Sequence, residues 1–236
     1  SNPNKYYQIA LDECADVMER RDQHDLNPDF EDLWRAIHEG RDDATNEFIW
    51  RIGAFGGNSK TDSKLGYYNG VRHGNSSRFG RGGGGTNALP TYFYEFDSKD
   101  VRRDVTVGIF EINDDNESIM ARASTLTDGK FRRSWTNITG SSAQNLAIDW
   151  PMIRFADVLL MYAEASYRLN GTNAQATDAL MEVRRRAFAG NEGAMPPIKS
   201  DFFEAIVHER LLEFGGESIR KYDLIRWNRL ASTITE

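Results

Sequence analysis

One predicted helix constrains the fold of this chain more than any other feature. In the stretch DWPMIRFADVLLMYAEASYRL, residues 149–169, the apolar side chains fall within an arc of roughly 200° when successive residues are set about 100° apart. That arc is wider than a helix with one buried face requires. Ala156 and Ala163, one heptad apart, would let a neighbouring helix approach closely. We therefore expect a helix over 151–169 that is sandwiched between other helices.

The polar side of the same segment is balanced in charge. Arg154 and Asp157 are spaced i,i+3, and Glu164 and Arg168 are spaced i,i+4. On a helix these spacings bring opposite charges together. A core helix of an all-α domain explains the whole pattern.

Other segments repeat the helical spacing of apolar residues. The N-terminal part predicts a helix over 5–21, a second helix that follows Asn27-Pro28 and ends near Gly40, and a strand over 46–53. Beyond residue 150 we expect helices over 151–169, 174–188, 202–214 and 218–230, with Gly190 as a stop after the second and Asp201 with Glu204 as an N-cap and capping-box pair. Two helix pairs with short turns resemble a tetratricopeptide-like stack.

The middle of the chain has a different character. From Gly53 to about Asp149 it is rich in Gly, Ser, Asn and Thr, and 105–112 is the best strand candidate. The fold class we expect is mainly α, with tetratricopeptide-like helical pairs and a long irregular loop region that contains short strands. We divide the single predicted domain, 1–236, into a helical start (1–53), a loop-rich candidate ligand-binding region (54–149) and the helical pairs (150–236).

Composition excludes several classes of protein. A hydrophobic content of 39%, a charged content of 28% and a net charge of −7 are typical of a soluble globular protein and do not favour nucleic acid as a partner. No apolar run approaches the ~20 residues of a membrane-spanning helix. The single cysteine, Cys14, excludes an internal disulfide, and we expect no cofactor. Because Ser1-Asn2 is typical of residues left by an expression tag, we expect the chain to be a fragment.

Short motifs give little support for catalysis or for a nucleotide site. Gly80, Gly82 and Gly85 match G-x-G-x-x-G by letters, but no apolar strand precedes them, so a flexible surface loop is the better interpretation. Asp114, Asp115 and Asn116 offer oxygen ligands for calcium without the EF-hand spacing, and a solvated turn is favoured. No catalytic motif or distinctive pair of carboxylates is present, so we expect no catalytic residues.

Aromatic residues are scattered through the loop-rich region among Asn, Asp, Ser and Arg. Aromatic faces beside polar groups can hold sugar rings, although each of these residues could instead be packing in the core. The candidate sugar-binding residues are Tyr67, Tyr68, Phe79, Tyr92, Tyr94 and Trp135.

Three ordered segments resemble the SusD/RagB family. DWPMIRFADVLLMYAEASYRLNG is similar to the start of the helical pairs in that family, and MEVRRRAF (181–188) is similar to its N.VR.RAG. The segment 202–230 is similar to I..ER..EF..EG.R..DL.RWG.L, although Ser218 stands near the expected glycine, which predicts a local difference in the loop. Members are about twice as long and usually continue to a P.P..E segment that this chain lacks.

The resemblance implies a non-catalytic lipoprotein on the outward face of the bacterial outer membrane. Such proteins bind oligosaccharides or polysaccharides on loop aromatics and deliver them to a TonB-dependent, SusC-like transporter, with no nucleic-acid partner and membrane contact only through a lipid anchor outside the present chain. An alternative is a protein- or peptide-binding helical scaffold, or a transporter-docking subunit without its own sugar site. We assign structural roles, through ion pairs between helices, to Arg154, Glu164, Glu209, Arg210, Arg220, Asp223 and Arg226.

Overall fold

The computed structural model describes residues 2–55, 62–137, 144–198 and 201–235. The helices are α1 (Pro3–Met18), α2 (Phe30–Glu39), α3 (Pro90–Glu95), α4 (Arg103–Thr106), α5 (Phe155–Asn170), α6 (Ala174–Ala187), α7 (Phe202–Glu213), α8 (Arg220–Arg226) and α9 (Leu230–Thr235). The strands are β1 (Phe48–Ile52), β2 (Val107–Gly108), β3 (Phe110–Ile112), β4 (Ser118–Met120), β5 (Thr127–Asp128) and β6 (Trp150–Arg154). Within the described ranges, no helix is long and apolar enough to cross a membrane.

Helix α5 lies at the centre of a helical layer, as its wide apolar arc predicts. It packs against α1, α6 and α7. The core between these helices is built from Leu159, Leu160, Ala163, Leu180 and Ile206, all fully buried. Short turns join α5 to α6 and α7 to α8. The prediction of a mainly α, tetratricopeptide-like fold is confirmed.

The helix ends follow from capping chemistry. The Asp29 side chain accepts backbone N–H groups at the start of α2, and Asp201 does the same for α7. Helix α2 ends at Gly40, whose φ of +67° is a left-handed conformation that favours glycine. Glu204 forms an ion pair with Arg229. The predicted N-cap at Asp201 is therefore confirmed, whereas the side chain of Glu204 serves another partner.

The start of the central helix differs from its prediction. Residues 151–154 belong to strand β6, which pairs antiparallel with β1, so α5 begins at Phe155. Pro151 lacks a backbone N–H and suits a two-stranded ribbon with open edges. The predicted pairing of Arg154 with Asp157 on one helix face is consequently wrong, because Asp157 bonds Arg210.

Two further segments are broken where we expected continuity. Residues 105–112 do not form one strand: they contain the end of α4, then β2 and β3, which pair with different partners. The predicted helix over 218–230 is shorter, since α8 ends at Arg226 and a separate helix, α9, begins at Leu230. Ser218, near the position where the family motif has glycine, adopts a φ of +62°. Ser218 therefore adopts the left-handed conformation that glycine normally adopts at this position.

Buried ion pairs join the helical layer to the rest of the chain. Glu213, at the end of α7, accepts hydrogen bonds from three arginines. The donor–acceptor distances are 2.6 Å from Arg186, 3.0 Å from Arg154 and 3.1 Å from Arg102. The basic members of this network are Arg102, Lys130, Arg154, Arg184 and Arg186, and an equal number of acidic members comprises Glu47, Asp100, Glu209, Glu213 and Glu217.

The predicted pairing between helices is confirmed at Glu209, Arg210, Asp223 and Arg226, but it is wrong at Arg220, whose guanidinium donates to the carbonyl oxygen of Val207. Glu209 on α7 accepts from Arg184 on α6 at 2.8 Å, and Asp223 on α8 accepts from Arg210 on α7 at 2.7 Å. The expected bond between Glu164 and Arg168 is absent. Glu164 is buried and accepts instead from Arg226 and Trp227 of the C-terminal segment, at 2.6 and 2.8 Å.

Candidate functional site

The loop that carries Tyr67 and Tyr68 is fixed to the core on both sides. Ser63 and Leu146 exchange backbone hydrogen bonds of 3.3 and 2.9 Å, which anchor the start of the loop. Gly70 has a φ of +81°, and a Cβ at this position would lie 2.1 Å from the carbonyl oxygen of Phe131. The two tyrosines are thus presented by backbone that packs tightly on the segment beneath it.

The glycine-rich stretch lies against the loop that carries Tyr67 and Tyr68. The backbone N–H of Gly83 donates to the carbonyl oxygen of Tyr67 at 2.6 Å, and that of Gly85 donates to Tyr68 at 2.5 Å. Gly82 and Gly84 are buried. The expectation of a surface loop therefore holds at Gly85, which is exposed, but not at Gly80 and Gly82, where the lack of a side chain allows two backbone segments to lie side by side.

Tyr68 presents the more open ring of the pair. Its side chain is 51% exposed, whereas Tyr67 is half-buried and meets it edge to face with ring centroids 4.9 Å apart. The ammonium group of Lys64 lies 5.7 Å from the Tyr68 ring. Asn69, the next residue, donates from its side chain to the Thr86 hydroxyl at 3.1 Å. We refer to Lys64, Tyr67, Tyr68 and Asn69 as the Tyr68 platform.

Phe79 lies on a neighbouring part of the same loop region. Its ring is half-buried, 5.7 Å from the imidazole of His73, and the Arg78 guanidinium covers it at 4.7 Å. The buried Arg133 side chain donates to the carbonyl oxygens of Phe79 and Arg81. Burial lowers the pKa of His73 to about 4, so the imidazole is neutral at physiological pH. Phe79 is mostly occupied by contacts within the protein.

Tyr92 and Tyr94 lie on the short helix α3 and point in different directions. The Tyr92 hydroxyl donates to the carbonyl oxygen of Leu211 at 3.0 Å, and burial raises the pKa of this phenol. Tyr94 is 79% exposed and lies beside Phe93 at the rim of an apolar pocket of about 350 Å³. The structure therefore separates two residues that the sequence places close together.

Trp135 is a core residue in this structure. Its indole is 7% exposed, and the guanidinium groups of Arg132 and Arg35 lie 4.4 and 4.9 Å from the ring centroid. His38 meets it edge-on at 5.4 Å. This corrects the expectation of an open ring at Trp135, because a sugar could stack there only after these contacts had opened.

The candidate calcium ligands are used to fasten a turn. The Asp114 carboxylate accepts the backbone N–H of Ser76 at 2.7 Å, and the Asn116 side chain accepts that of Arg78 at 2.6 Å. Asp115 is exposed on the same turn. Among the described residues, no group of three or more His, Cys, Asp or Glu side chains lies close enough together to hold a metal ion.

A pocket that the sequence did not reveal borders the Tyr68 platform. It has a volume of about 500 Å³ and lies between Asn69 and Thr86 on one side and the turn from α7 to α8 on the other. Its polar and aromatic lining on the helical side is contributed by Ser218, Arg220, Lys221 and Tyr222. No periodicity relates these segments, so only the tertiary fold brings them together.

Comparison with known proteins places the chain in a family. Residues 113–235, just over half of the chain, match the model described as SusD family. The chain belongs to the SusD family. SusD-like protein P25 of Formosa agariphila is 42% identical over 87 residues, which are 36% of this chain and 16% of that relative. The resemblance that the three sequence segments indicated is therefore confirmed.

Solved SusD structures share the fold. A SusD homologue from Bacteroides thetaiotaomicron superposes with a TM-score of 0.85 and 24% identity over 97% of this chain and 50% of its own. Surface glycan-binding protein A from Bacteroides thetaiotaomicron, solved in complex with laminarihexaose, gives a TM-score of 0.72 with 21% identity over 98% of this chain and 52% of its own. The chain thus spans about half the length of these solved relatives.

Proposed function

We propose that this SusD-family chain binds a glycan at the cell surface and that the Tyr68 platform carries part of the binding site. The observation that carries the proposal is the half-exposed ring of Tyr68 on a loop fixed by backbone hydrogen bonds, with the Lys64 ammonium 5.7 Å from the ring. The relative that was solved with laminarihexaose supports an oligosaccharide or polysaccharide as the ligand class.

The geometry suits a sugar for two physical reasons. The apolar C–H face of a pyranose can stack on the Tyr68 ring, while its hydroxyl groups bond the polar side chains nearby. Because backbone bonds from Gly83 and Gly85 already hold the loop, little conformational entropy remains to be lost when a ligand binds. A rigid aromatic surface of this kind holds the sugar and contributes no group for bond cleavage.

The proposed binding function is part of a wider role in the uptake of glycans across the outer membrane. We propose a non-catalytic protein on the outward face of the outer membrane, attached through a lipid anchor, which passes its glycan to a TonB-dependent, SusC-like transporter. Membership of the SusD family supports this assignment. Co-purification of such a transporter with the full-length protein from its native membrane would test the partnership.

Substitution of the exposed tyrosine tests the proposed site. Tyr68→Ala should weaken binding of the best ligand in a panel of neutral and acidic oligosaccharides by about tenfold or more, since a stacked aromatic anchor is lost. Isothermal titration calorimetry would measure the affinity, and a reducing-end assay in the same samples should detect no product. Tyr6→Ala, at a 62% exposed tyrosine on α1, is the matched control.

The outcomes of this experiment separate the competing functions. Equal affinity of Tyr68→Ala and wild type would place the glycan elsewhere. New reducing ends would contradict a non-catalytic role. Unchanged melting temperatures in both variants would show that a loss of binding reflects the site and not the fold.

A second candidate function, binding of a protein or peptide, is favoured by a different surface. The 350 Å³ pocket beside Tyr94 is lined mainly by apolar groups, and Met120 and Leu89 near it are 84% and 70% exposed. An apolar surface of this type fits hydrophobic side chains better than a hydroxyl-rich sugar. Binding of a peptide that Met120→Ser abolishes, in the absence of any response to saccharides, would support this alternative.

A further inference from the structure

The pocket between the Tyr68 platform and the turn from α7 to α8 has an unusual lining. Among the described side chains that line its space of about 500 Å³, Arg220 and Lys221 are basic and none is acidic. The second large pocket, of about 460 Å³, mixes Glu95 and Asp97 with arginines. A cationic pocket on a chain with a net charge of −7 is a local departure from the charge of the whole molecule.

The positive charge of this pocket is not neutralised by a neighbouring ion pair. No carboxylate of the described residues lies within 4.0 Å of the Arg220 guanidinium, which donates at 2.9 Å to the carbonyl oxygen of Val207. Arg220 is half-buried, and burial lowers its pKa; the nearby charge of Asp223 raises this pKa and that of Arg210 lowers it. A half-buried cation without a carboxylate partner favours the approach of an anion.

Of the nearest acidic groups, Asp223 and Glu217 form ion pairs with other residues, whereas one carboxylate oxygen of Asp128 has no hydrogen-bond partner among the described residues. Asp223 accepts hydrogen bonds from Arg210 and Arg226, while Glu217 accepts them from Lys130 and Arg154. Asp128 lies beneath Gly216, and its carboxylate accepts the backbone N–H of Lys130 at 2.9 Å. These carboxylates reduce the positive potential of the pocket without forming part of its wall.

The same pocket contains the groups that bind the neutral part of a sugar. Tyr222 is 67% exposed on the wall that also carries Lys221, so its ring is accessible. The opposite wall carries the Asn69 amide and the Thr86 hydroxyl. Asn69, which directly follows Tyr68 in the chain, lines the pocket, so the pocket borders the Tyr68 platform.

We propose that this pocket binds an acidic sugar unit, whose carboxylate or sulfate group faces Lys221 and Arg220 while its ring packs on Tyr222. The proposal rests on the glycan-binding function proposed above and narrows its ligand to acidic glycans. The net charge of −7 disfavours polyanions as a whole, so the ligand gains attraction where it places a charged unit against Lys221 and Arg220.

Reversal of one exposed charge tests the pocket. Lys221→Glu should weaken binding of an oligogalacturonate or of a sulfated galactan oligosaccharide by at least about tenfold, and wild-type affinity should fall as sodium chloride is raised. Lys5→Glu, at an exposed lysine on α1, makes the same change in net charge and should bind as wild type does. Tyr222→Ala should weaken binding of the same acidic ligands, and melting temperatures would show that all variants are folded.

Each outcome has a definite meaning. A response to the uronate alone or to the sulfate ester alone supports the proposal and names the anionic group. Equal affinities of Lys221→Glu and Lys5→Glu for the acidic ligands would overturn it. Binding of laminarihexaose that depends on Tyr68, with no binding of acidic sugars, would overturn the acidic pocket and leave the proposed glycan function standing. If no saccharide bound at all, both would fail.

Discussion

Asp128 is a buried carboxylate whose ionisation opposes folding. Its side chain is 4% exposed, and burial raises its pKa from an ordinary value of 3.8 to about 6, although Lys130 acts in the opposite direction. Between about pH 4 and pH 6 the folded protein therefore binds a proton that the unfolded chain has released. The contribution of Asp128 to stability falls as pH rises through this window and stays low above it.

The stability of the Asp128→Asn variant relative to that of wild type should increase as pH rises. Asparagine keeps an oxygen for the backbone N–H of Lys130 and has no charge to bury. A pKa raised by about two units corresponds to about 2–3 kcal/mol, so the melting temperature of the variant should gain roughly 5 °C on wild type between pH 4 and pH 7. Differential scanning calorimetry at a series of pH values measures this difference.

The comparison isolates Asp128 from other titrating groups. Burial also lowers the pKa of His38 to about 4, as it does for His73, and these imidazoles titrate in wild type and variant alike. Asp178→Asn, at an exposed carboxylate on α6, makes the same change of charge and is the control. A difference between Asp128→Asn and wild type that is constant from pH 4 to pH 7 would contradict the raised pKa.

The aromatic residues show how far sequence reasoning reaches at the scale of single residues. The sequence places spare aromatics in the loop-rich region, and Tyr68 and Tyr94 are indeed open to solvent. It does not distinguish them from Trp135 or Tyr92, whose partners His38 and the backbone of Leu211 come from distant segments of the chain. In an irregular region, burial is decided by tertiary contacts that a residue type alone does not reveal.

At the scale of elements, prediction succeeded where a periodic apolar pattern coincides with an end signal. Helix α2 has both Asp29 at its start and Gly40 at its end, and its bounds are close to those expected. The prediction of a helix over 151–154 was wrong because the apolar residues of this segment suit a helix or a strand equally. Pairing with β1, which lies about a hundred residues earlier in the chain, decides the outcome.

Two glycines in the same backbone conformation allow a test of how the Tyr68 platform is built. Gly70 and Gly190 have φ values of +81° and +76°, but an added Cβ meets the Phe131 carbonyl oxygen only at Gly70 and nothing within 4 Å at Gly190. Gly190→Ala should lower the free energy of unfolding by about 1 kcal/mol, because alanine is strained in the left-handed conformation. Gly70→Ala should lower it by at least about 2 kcal/mol more, because the backbone at Phe131 must also move. Urea unfolding of both variants gives the two values, and equal costs would show that the loop yields freely.

At the scale of the whole molecule, ion pairs in the core connect segments that are far apart in sequence. Glu47, Arg154 and Glu213 come from the N-terminal part, the start of the central helix and the end of α7, yet Arg154 bonds both carboxylates. The sequence predicted that charged residues on the helices serve structure, and it missed Glu47 and Arg102 because neither lies in the helical pairs. The partners in these buried ion pairs are determined by which segments meet in the tertiary structure and not by spacing along a helix.

Glu213→Gln should therefore destabilise the protein far more than the loss of a surface ion pair. Burial alone would raise the pKa of Glu213, but Arg186, Arg154 and Arg102 lower it well below its usual range, so the carboxylate is charged at neutral pH. Its neutral replacement leaves these buried guanidinium groups with a net positive charge, which should cost about 3–5 kcal/mol. Glu31→Gln, which breaks the exposed pair with Arg35, should cost less than about 1 kcal/mol. Chemical denaturation at neutral pH measures the free energy of unfolding of both variants. If Glu213→Gln cost as little as the control, water would reach the ion-pair network, and the network would not hold the helical layer to the loop-rich region.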